Sequence, residues 1–454
     1  MDRLISLCKR RGFIFPSSEI YGGFSASYDW GPLGVELVNN IKKAWWKMFV
    51  REREDMVGLD ASILMNPKVW EASGHLQNFS DPLVDCKKCR ERFRADHLLE
   101  AKGLQPAYDK EKPFDLTGVK CPKCGGDLTE ARQFNLMFKT FLGPVEETAS
   151  VCYLRPETAG GIFVNFKNVK DTARKKLPFG IGQIGKAFRN EITVENYIFR
   201  VREFEQFEVE YFINPKNWEK YFKEWLDLLK KWCAFLGIKE NNLVFHEIPD
   251  GERAFYSKRT IDIEYKYPFG VKELYGLAYR TDYDLSRHQQ FSGEDLSYTD
   301  PETNEKFIPH VIEPSLGLQR TVLATLLEAY EEIKGGRTTT TESNKEEEVV
   351  LRLPYDLAPI KIAILPLSKK EPLLETAKKI AGELRSLWNI QYDEVASIGR
   401  RYRRQDEIGT PFCVTVDFET AEDGKVTVRD RDTMAQERIE VKELAEYFKK
   451  KLSC

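Results

Sequence analysis

The sequence predicts an α+β fold built on an antiparallel sheet, followed by a smaller α/β unit at the C-terminal end. Strand patterns dominate residues 180–330 and helical patterns lie at the periphery, which is typical of an antiparallel core and not of a doubly wound sheet. Segment 355–454 instead alternates strands with helices, which favours a mostly parallel or mixed sheet. The length of 454 residues, at about 100–200 residues per domain, is enough for two to four domains.

The composition is that of an ordinary globular protein, with 42% hydrophobic and 31% charged residues. No uninterrupted apolar run approaches the roughly 18 residues of a membrane span, and the stretch 1–15 lacks the apolar core of a signal peptide, so we expect a cytoplasmic protein. With 69 Lys+Arg against 72 Asp+Glu, the net charge is −3. This balance excludes a non-specific polyanion binder, although a local basic patch can still hold a nucleic acid.

A long helix is expected over residues 33–49, because Leu37, Ile41, Trp45 and Phe49 recur every four positions and form one apolar stripe. Farther along the chain, the pattern predicts strands at 180–213, Leu243–Ile248, 259–266 and Phe307–Ile312. The sequence contains no Gly-x-Gly-x-x-Gly or Walker-type loop, so any nucleotide would be held by side chains on strands.

The C-terminal unit follows a sharp change in composition. Gly, Thr and charged residues without apolar periodicity fill 335–348 and predict a linker. Beyond it, the predicted elements are a strand at Lys361–Leu367, a helix at 371–388, a strand ending at Val395, a strand at Phe412–Asp417 and a closing helix at Lys442–Leu452.

Nine cysteines in a chain without a signal peptide do not predict a disulfide framework. Four of them form two C-x-x-C pairs, Cys86 with Cys89 and Cys121 with Cys124, which is the spacing of a tetrahedral zinc site. Four thiolates leave no open position, so the Zn²⁺ would be structural, and the polar segment between the pairs is typical of a small ribbon that needs a metal to fold. The alternative is four unconnected free thiols.

A predicted hairpin carries the strongest chemical signal. It passes from Phe188–Ile192 through a polar loop into Phe199–Ile213, and strand residues alternate between two faces. One face of the second strand would carry Arg200, Arg202, Gln206, Glu208 and Glu210, while Arg189 and Glu191 would share a face of the first. Arginines beside carboxylates suit a ligand with negative and positive groups, whereas the alternative is a solvated face with cross-strand ion pairs. Phe204 on the polar face favours the ligand.

Three shorter segments point the same way. Arg155–Gly161 ends a strand with a carboxylate and a small-residue turn, where backbone can approach a ligand closely. Ile312–Arg320 turns from strand into helix and puts Glu313 at the strand end, with Arg320 in the first helical turn, against the macrodipole. Lys272–Leu274 is expected at the end of an apolar strand. Each segment taken alone also has an ordinary structural explanation.

Together these segments resemble the class II aminoacyl-tRNA synthetases. The helix 33–49 leading to Pro67 resembles motif 1, the hairpin resembles motif 2 and Glu313–Arg320 resembles motif 3. Within that class the chain is most similar to the single-chain, homodimeric enzymes for glycine, and the resemblance covers nearly the whole chain. It is carried by Tyr28–Gly34, Ala72–His75, Phe93–His97, Arg155–Ala159, Arg200–Phe204 and Glu313–Ser315.

The resemblance implies a domain organisation. The catalytic domain would span 1–335 and contain motif 1 at about 33–67, motif 2 at about 186–213 and motif 3 at about 311–330. A zinc-ribbon-like insertion would occupy 84–130 of that domain. A linker at 336–354 would lead to an anticodon-binding domain at 355–454.

The resemblance also implies the reaction. Glycine carboxylate attacks the α-phosphate of ATP to give glycyl-adenylate and pyrophosphate, and the 3′ end of tRNA(Gly) then takes the glycyl group. Arg189 and Arg320 would be catalytic, and Mg²⁺ would bridge the phosphates. The residues implied at ATP are Arg189, Asn190, Glu191, Arg200, Val201, Phe204, Glu273, Leu274, Gly317 and Arg320. Those implied around the glycine ammonium are Glu157, Glu208, Glu313 and Ser315.

Two other interpretations stay open, namely a synthetase-like binding or accessory protein that does not aminoacylate and a class II synthetase for another small amino acid. The arginines of motifs 2 and 3 and the three glutamates favour the enzyme for glycine. The sequence departs from the family pattern at Gly160, where Gln is usual, and at Gln319, where Gly or Asp is commoner. Neither change removes a charged partner.

One dense basic cluster stands in the C-terminal unit, which otherwise balances 18 Lys+Arg against 18 Asp+Glu over 355–454. The cluster consists of Arg400, Arg401, Arg403 and Arg404 around Tyr402. A solvated helix face is one interpretation. The other is contact with the phosphates of the anticodon loop, with Tyr402 or Phe412 stacking on its bases.

Overall fold

The structure is a computed structural model that describes residues 1–104, 114–145, 150–194, 196–335, 337 and 347–452. Helices in these ranges are α1 (Asp2–Arg11), α2 (Pro32–Trp46), α3 (Lys68–Ala72), α4 (His75–Asn78), α5 (Ala95–Glu100), α6 (Ala159–Val164), α7 (Phe166–Ala173), α8 (Trp218–Phe235), α9 (Tyr283–Ser292), α10 (Leu318–Ala329), α11 (Leu373–Arg385), α12 (Ile398–Ile408), α13 (Thr420–Asp423) and α14 (Leu444–Lys451).

A seven-stranded sheet forms the centre of the N-terminal part. Its strands are β1 (Met56–Gly58), β2 (Phe179–Phe188), β3 (Glu203–Ile213), β4 (Leu243–Glu247), β5 (Arg259–Tyr267), β6 (Gly270–Thr281) and β7 (His310–Gly317). They lie in the order β4-β5-β6-β7-β3-β2-β1, and every neighbouring pair is antiparallel except β1 with β2. The prediction of an antiparallel α+β core is therefore confirmed.

One face of this sheet packs against helices. Phe207, Val209 and Tyr211 of β3 are buried in the same core as Trp45 of α2 and Trp225 of α8, with ring centroids 5.3 Å apart for Trp45 and Phe207 and 5.2 Å apart for Tyr211 and Trp225. Because side chains alternate along a strand, the even-numbered residues of β3 point to the opposite face. That opposite face carries the polar groups of the site.

The predicted helix at 33–49 is confirmed, since α2 forms there and a π-helical turn, Lys47–Arg51, continues it. Pro32 occupies the first helical position, where its missing N–H costs nothing. Leu37, Ile41 and Trp45 are buried along one stripe, as the four-residue spacing requires.

The hairpin differs from the prediction at its turn. β2 ends before Arg189 and β3 begins only at Glu203, so Arg189, Glu191 and Arg200 lie in the connection and not on strands. A 3-10 turn begins at Tyr197, whose φ of 63° is left-handed and breaks the extended run. The prediction that Arg189 and Glu191 share a strand face is therefore wrong, and the alternation rule holds only from Glu203 onward.

A second prediction fails in β6. Lys272–Leu274 lies near the start of this strand and not at its end, because Tyr275, Leu277 and Tyr279 continue the buried face of the sheet beyond it. Glu313 lies inside β7, two residues farther from its end than Ser315, and both therefore stand on the sheet itself.

The C-terminal unit is a mixed sheet flanked by helices, as predicted. Its strands are β8 (Ile362–Pro366), β9 (Ile390–Tyr392), β10 (Phe412–Val416), β11 (Lys425–Asp430) and β12 (Gln436–Glu440). Their order is β9-β8-β10-β11-β12, with parallel pairing among the first three and antiparallel pairing after that. The helix predicted at 371–388 is α11 and the closing helix is α14, whereas β11, β12 and α13 were not predicted.

Short sheets complete the described fold. They pair Ile14–Pro16 with Tyr28–Trp30, Ser80–Asp85 with Arg92–Arg94 and Arg132–Asn135, Lys139–Phe141 with Val151–Tyr153, Tyr298–Thr299 with Lys306–Phe307, and Tyr330–Lys334 with Glu347–Leu351. The last pair places a strand inside the segment 336–354 that was predicted as a linker, and 336 and 338–346 lie outside the described residues. The domain boundaries stay predictions.

No helix in the ranges given above is long and apolar enough to cross a membrane. The cytoplasmic location stays a prediction.

A buried ion-pair network ties α12 to the strands around it. The Asp406 carboxylate accepts from Arg429 at 3.0 and 2.9 Å and from Arg337 at 2.6 Å. Arg337 also donates to the carbonyl of Arg431 at 2.7 Å. Because Arg337 lies just after the Tyr330–Lys334 strand, this network joins the N-terminal part to the C-terminal unit.

We expect Asp406→Ala to destabilise the protein by about 3–5 kcal/mol, because two buried guanidinium groups lose their counter-charge. Urea denaturation followed by circular dichroism should show a lower midpoint for the transition. The matched control is Asp295→Ala, which removes an exposed carboxylate paired with Lys306 and should leave the midpoint unchanged. Equal midpoints for the Asp406 variant and the unchanged chain would contradict this account of the junction.

Candidate active site

The first of two adjoining cavities lies where the β2–β3 connection meets β6, β7 and the start of α10. Nine of the ten residues implied at ATP line this cavity together, and they are Arg189, Glu191, Arg200, Val201, Phe204, Glu273, Leu274, Gly317 and Arg320. Asn190, the tenth, lies beside them and donates its backbone N–H to the carbonyl of Leu136 at 2.7 Å. Three further residues line it, Phe199, Gln206 and Gln319. Gln206 was expected on the polar face of the strand, whereas no contact with a ligand was predicted for Phe199 or Gln319.

Two arginines face this cavity with unused capacity for an anion. The Arg189 guanidinium lies 5.3 Å from the ring centres of both Phe79 and Phe204, and its Nε donates to the carbonyl of Pro156 at 3.0 Å. Arg200 Nη1 is buried and has no hydrogen-bond partner among the described residues. A buried donor without a partner is costly, so the arrangement favours a phosphate at this place.

Arg320 is held at the far side of the same cavity. Its Nη1 lies 3.0 Å from the Glu273 carboxylate, and its guanidinium lies 4.6 Å from the ring centre of Phe199. The charge of Arg320 lowers the pKa of Glu273 although burial opposes this shift. The aromatic and cationic groups therefore present both a flat surface and a positive charge, which suits a nucleotide base and its phosphates.

The second cavity has a volume of about 300 Å³ and contains all four residues implied at glycine, which are Glu157, Glu208, Glu313 and Ser315. The Glu157 carboxylate lies 3.2 Å from His75 Nε2. Glu208 accepts hydrogen bonds from the backbone N–H of Thr158 at 2.9 Å and from the Ser315 hydroxyl at 2.8 Å. All three glutamates are buried, so three carboxylates face one small dry space.

The electrostatics of these carboxylates differ. Burial alone would raise the pKa of Glu157, but His75, Arg280 and Arg189 lower it to about 2. Burial and the charge of Glu157 raise the pKa of Glu208. Burial raises the pKa of Glu313 to about 8, against the opposing charge of Arg280. Glu313 therefore holds a proton near neutral pH, and a cation bound in the pocket would stabilise the ionised carboxylates.

Arg280 and His75 complete the pocket, and sequence reasoning did not find either role. Arg280 Nη1 donates to Glu313 at 2.7 Å, while its other nitrogens bind Asp284 at 2.8 and 2.9 Å. His75 Nδ1 lies 2.8 Å from the Ser73 hydroxyl, and this contact sets the ring against Glu157. The glutamate that each residue contacts lies far away in the sequence, Glu313 for Arg280 and Glu157 for His75, so no local spacing could have pointed to these contacts.

The two cavities meet at Arg189, Gln206, Glu273 and Ser315, which line both. An anion bound by Arg189 in the first cavity would therefore lie next to a cation bound by the glutamates in the second. This juxtaposition is what joining an amino acid to a nucleotide phosphate requires, because the reacting groups must be held close and oriented.

Both departures from the family pattern have a local explanation. A Cβ built on Gly160 would lie 2.9 Å from the ring of Trp70, so the indole occupies the space that a longer side chain would need. The Gln319 side-chain oxygen accepts the backbone N–H of Glu205 at 3.0 Å and fixes α10 to the start of β3. Neither residue disturbs the carboxylates of the second cavity.

The four cysteines of the two C-x-x-C pairs come together on the short sheet built on Ser80–Asp85. Their Sγ atoms all lie within 4.8 Å of one another, with 3.4 Å between Cys86 and Cys124 and 3.7 Å between Cys89 and Cys121. A tetrahedron with Zn–S bonds of about 2.3 Å has edges of about 3.8 Å, so the donor set fits Zn²⁺. A disulfide would instead need a sulfur–sulfur distance of about 2 Å.

The basic cluster on α12 is directed mostly into the protein. Arg401 is buried and donates to the carbonyls of Pro366 at 2.7 Å and Asp393 at 3.0 Å. Arg404 pairs with the Asp393 carboxylate, and Arg403 lies 4.0 Å from a Glu348 oxygen. Arg400 is the exposed member.

The two aromatic residues proposed for base stacking also pack against other groups of the protein. The Tyr402 hydroxyl bonds to Thr415, and the Arg429 guanidinium lies 4.8 Å from its ring centre. Phe412 is buried in the core of the C-terminal unit, with its ring centre 5.4 Å from that of Phe448. The expectation that either ring is available for stacking is therefore wrong, because both face the interior.

Comparison with known proteins gives matches over both parts of the chain. Residues 143–330 match the family described as tRNA synthetase class II core domain (G, H, P, S and T), and residues 361–451 match the family described as Anticodon binding domain. The glycine--tRNA ligase of Thermobifida fusca is 52% identical over 458 residues, which cover 100% of this chain and 98% of the relative. Those of Clostridium acetobutylicum and Geobacillus kaustophilus are each 54% identical over 466 residues, covering 100% of this chain and 98% and 99% of the relatives.

Proposed function

The chain belongs to the glycine--tRNA ligase family of class II aminoacyl-tRNA synthetases, and on this basis we propose how its residues divide the reaction. The observation that carries the proposal is the meeting of two cavities at Arg189, one lined by arginines and aromatic rings and the other by three buried glutamates. ATP occupies the first cavity and glycine the second. Arg189 binds the α-phosphate between them, and Arg320 binds the γ-phosphate.

The first step needs no general base, because glycine attacks through a carboxylate that is already an anion. Catalysis then consists of positioning glycine in line with the leaving pyrophosphate and stabilising the charge that develops on the phosphate. Mg²⁺ on the phosphates neutralises part of that charge when it is bound. Arg189 supplies a planar pair of donors, which suits the α-phosphate oxygens.

Selection of glycine rests on its ammonium group. Glu157, Glu208 and Glu313 line a space in which a bound cation stabilises their ionised forms, and Ser315 adds a hydroxyl. A missing or extra methylene discriminates by only about 1–3 kcal/mol, so the pocket cannot depend on contacts to a side chain. The three carboxylates support an amino-acid ammonium at this place, and the identity to glycine--tRNA ligases supports glycine as the amino acid.

The reaction itself supplies the first test. Glycine-dependent ATP–pyrophosphate exchange should fall by about 100- to 1,000-fold in Arg189→Ala, because the charge at the α-phosphate loses its main partner. Arg385→Ala removes an exposed arginine of α11 and should leave the rate unchanged. Exchange with serine, alanine or proline but none with glycine would overturn the assignment of the substrate. Equal exchange rates for the unchanged chain and the Arg189→Ala variant would overturn the role proposed for Arg189.

Glycine binding should release protons near neutral pH. Burial raises the pKa of Glu313 to about 8, so Glu313 holds a proton in the free enzyme below that pH, and an incoming ammonium favours its ionised form. Burial and the charge of Glu157 also raise the pKa of Glu208. The dissociation constant for glycine should therefore decrease as the pH rises towards about 8 and then level off.

Isothermal titration calorimetry measures this proton release directly. At pH 7, the binding enthalpy should differ between phosphate and Tris buffers, which take up protons with different heats. In Glu313→Gln the difference should become smaller, since that residue no longer has a proton to release. Identical enthalpies in both buffers for the unchanged protein would contradict the proposed titration.

We also propose a structural Zn²⁺ on Cys86, Cys89, Cys121 and Cys124. Elemental analysis of the purified protein should find about one zinc per chain, as a four-thiolate site binds a single ion. Cys86→Ser should lose the metal and make the segment 84–130 sensitive to limited proteolysis, because a ribbon this small depends on its ion. Cys152→Ser, a buried cysteine outside the cluster, should keep the zinc. Full zinc content in Cys86→Ser would overturn the ligand set.

The protein is further proposed to act as a homodimer. Ile20, Tyr21 and Phe24 are 88%, 86% and 66% exposed at the tip of the hairpin that leads into α2, and Val35 of α2 is 41% exposed. Several exposed large apolar side chains in one short segment favour a partner. Its position next to the motif 1 helix supports a second copy of the chain as that partner.

Sedimentation equilibrium tests the dimer. The unchanged chain should sediment at twice its monomer mass, and a variant with Ile20→Glu and Tyr21→Glu should shift towards the monomer, since two charges would be buried at the interface. Phe291→Glu changes an exposed ring of α9 elsewhere and should leave the mass unchanged. A monomeric unchanged chain would overturn the proposal.

For tRNA, Arg400 is the remaining candidate of the four-arginine cluster, because it is exposed while its neighbours bind groups of the protein. The Anticodon binding domain match over 361–451 supports tRNA(Gly) as the partner of this unit.

A further inference from the structure

The floor of the glycine cavity continues past the glutamates to Asp262, a residue that the division of roles above does not use. Asp262 of β5 lies opposite Gly276 of β6, Gly276 lies opposite Ser315 of β7, and Ser315 lies opposite Glu208 of β3. Residues opposite one another on neighbouring strands point to the same face of a sheet. Asp262 therefore belongs to the same row as two of the groups assigned to glycine.

Gly276 leaves open the space between Asp262 and Ser315. A Cβ built on Gly276 would lie 3.9 Å from Asp262 Oδ1, with no other protein atom within 4 Å. All three residues line the cavity of about 300 Å³, so the Asp262 carboxylate faces the cavity proposed for glycine, which adjoins the one proposed for ATP.

Most carboxylates of this cavity already have partners. Glu157 contacts His75, Glu208 accepts from Thr158 and Ser315, Glu313 accepts from Arg280, and Glu273 pairs with Arg320. The Asp262 carboxylate makes no hydrogen bond and no ion pair with any residue in the part of the chain that the structure describes. Glu252 is likewise unpaired there, but it is exposed on the loop above the cavity. Asp262 is thus a half-buried carboxylate with free acceptor capacity.

The second step of the reaction requires a proton acceptor, which the first step does not. The attacking group is a ribose hydroxyl of the tRNA, which is neutral and must lose its proton as it bonds to the glycyl carbonyl carbon. We propose that Asp262 accepts this proton and acts as the general base of the transfer step, an inference that rests on the proposed function.

The hydroxyl oxygen forms the ester bond to the carbonyl carbon, and the bond between that carbon and the phosphate oxygen breaks. AMP leaves with the electron pair of the broken bond. The proton passes to an Asp262 carboxylate oxygen and from there to solvent, which returns the carboxylate to its starting form.

The charges around Asp262 suit a base that works near neutral pH. Burial, together with Glu273 of β6 and Glu264 of its own strand, raises the pKa of Asp262 to about 7, whereas His246 of β4 and Arg320 of α10 lower it. A base whose pKa is close to the working pH is ionised in a large fraction of the molecules and still binds a proton strongly enough to accept it. Since the carboxylate must be ionised to accept a proton, the transfer rate should rise with pH through about 7 and then level off.

The test uses the full-length protein with glycyl-adenylate formed on it beforehand. Single-turnover transfer to tRNA(Gly) is measured from pH 5.5 to 8.5, roughly spanning the titration of a group near 7, and glycine-dependent pyrophosphate exchange is measured in parallel. In Asp262→Asn the ratio of the transfer rate to the exchange rate should fall about 100-fold or more, and the rise with pH should disappear.

Glu264→Gln is the second variant and keeps the test decisive if Asp262→Asn fails to fold. Removing that neighbouring negative charge should shift the midpoint of the transfer profile to lower pH while the plateau rate stays the same. A proportional loss of exchange and transfer in Asp262→Asn, or an unshifted midpoint in Glu264→Gln, would overturn the proposal. Absence of glycine-dependent exchange in the unchanged chain would instead overturn the proposed function.

Discussion

Three carboxylates buried in one pocket are the constraint on which the rest of the structure depends, two of them on the central sheet (Glu208 and Glu313) and the third, Glu157, in the loop before α6. Glu157, Glu208 and Glu313 carry a large burial cost, and the fold offsets it by giving each one its own partner. Those partners are His75, Thr158, Ser315 and Arg280. Because the partners come from four different parts of the chain, the antiparallel sheet and the helices around it must all be in place before the pocket exists. The pocket is thus preorganised, which is the condition for electrostatic catalysis.

The sequence predicted the parts of the site that follow from local periodicity. Glu208 and Gln206 were assigned to one face of a strand because the alternation from Glu203 onward is regular, and the structure confirms that face. Arg200 and Arg202 were assigned to the same strand face although they lie before the strand, since the 3-10 turn ahead of β3 interrupts the period and a two-residue rule cannot be extended across it. Arg280 could not be found at all, because its carboxylate partner on β7 lies 33 positions away.

The family resemblance noted from motifs is confirmed by 52–54% identity to glycine--tRNA ligases over the whole chain. What the motifs could not predict is how the neighbours adapt. The indole of Trp70 fills the space beside Gly160, and Gln319 binds the backbone of β3, so both departures belong to packing around the site. Composition was a poor guide to the arginine cluster on α12, because a count of charges does not say whether a side chain points inwards.

The arginine side chains of α12 point into the protein, and this has a consequence for how the C-terminal unit and the catalytic part hold an RNA. Arg401 and Arg404 are satisfied by carbonyls and Asp393, and segment 355–454 balances 18 Lys+Arg with 18 Asp+Glu. Few counterions would be released there when RNA binds, so recognition at this end depends on base contacts and shape, which are only weakly sensitive to ionic strength. The arginines at the catalytic end are instead proposed to bind the phosphates of ATP, so added salt should weaken nucleotide binding more than it weakens the hold on the anticodon end of the RNA.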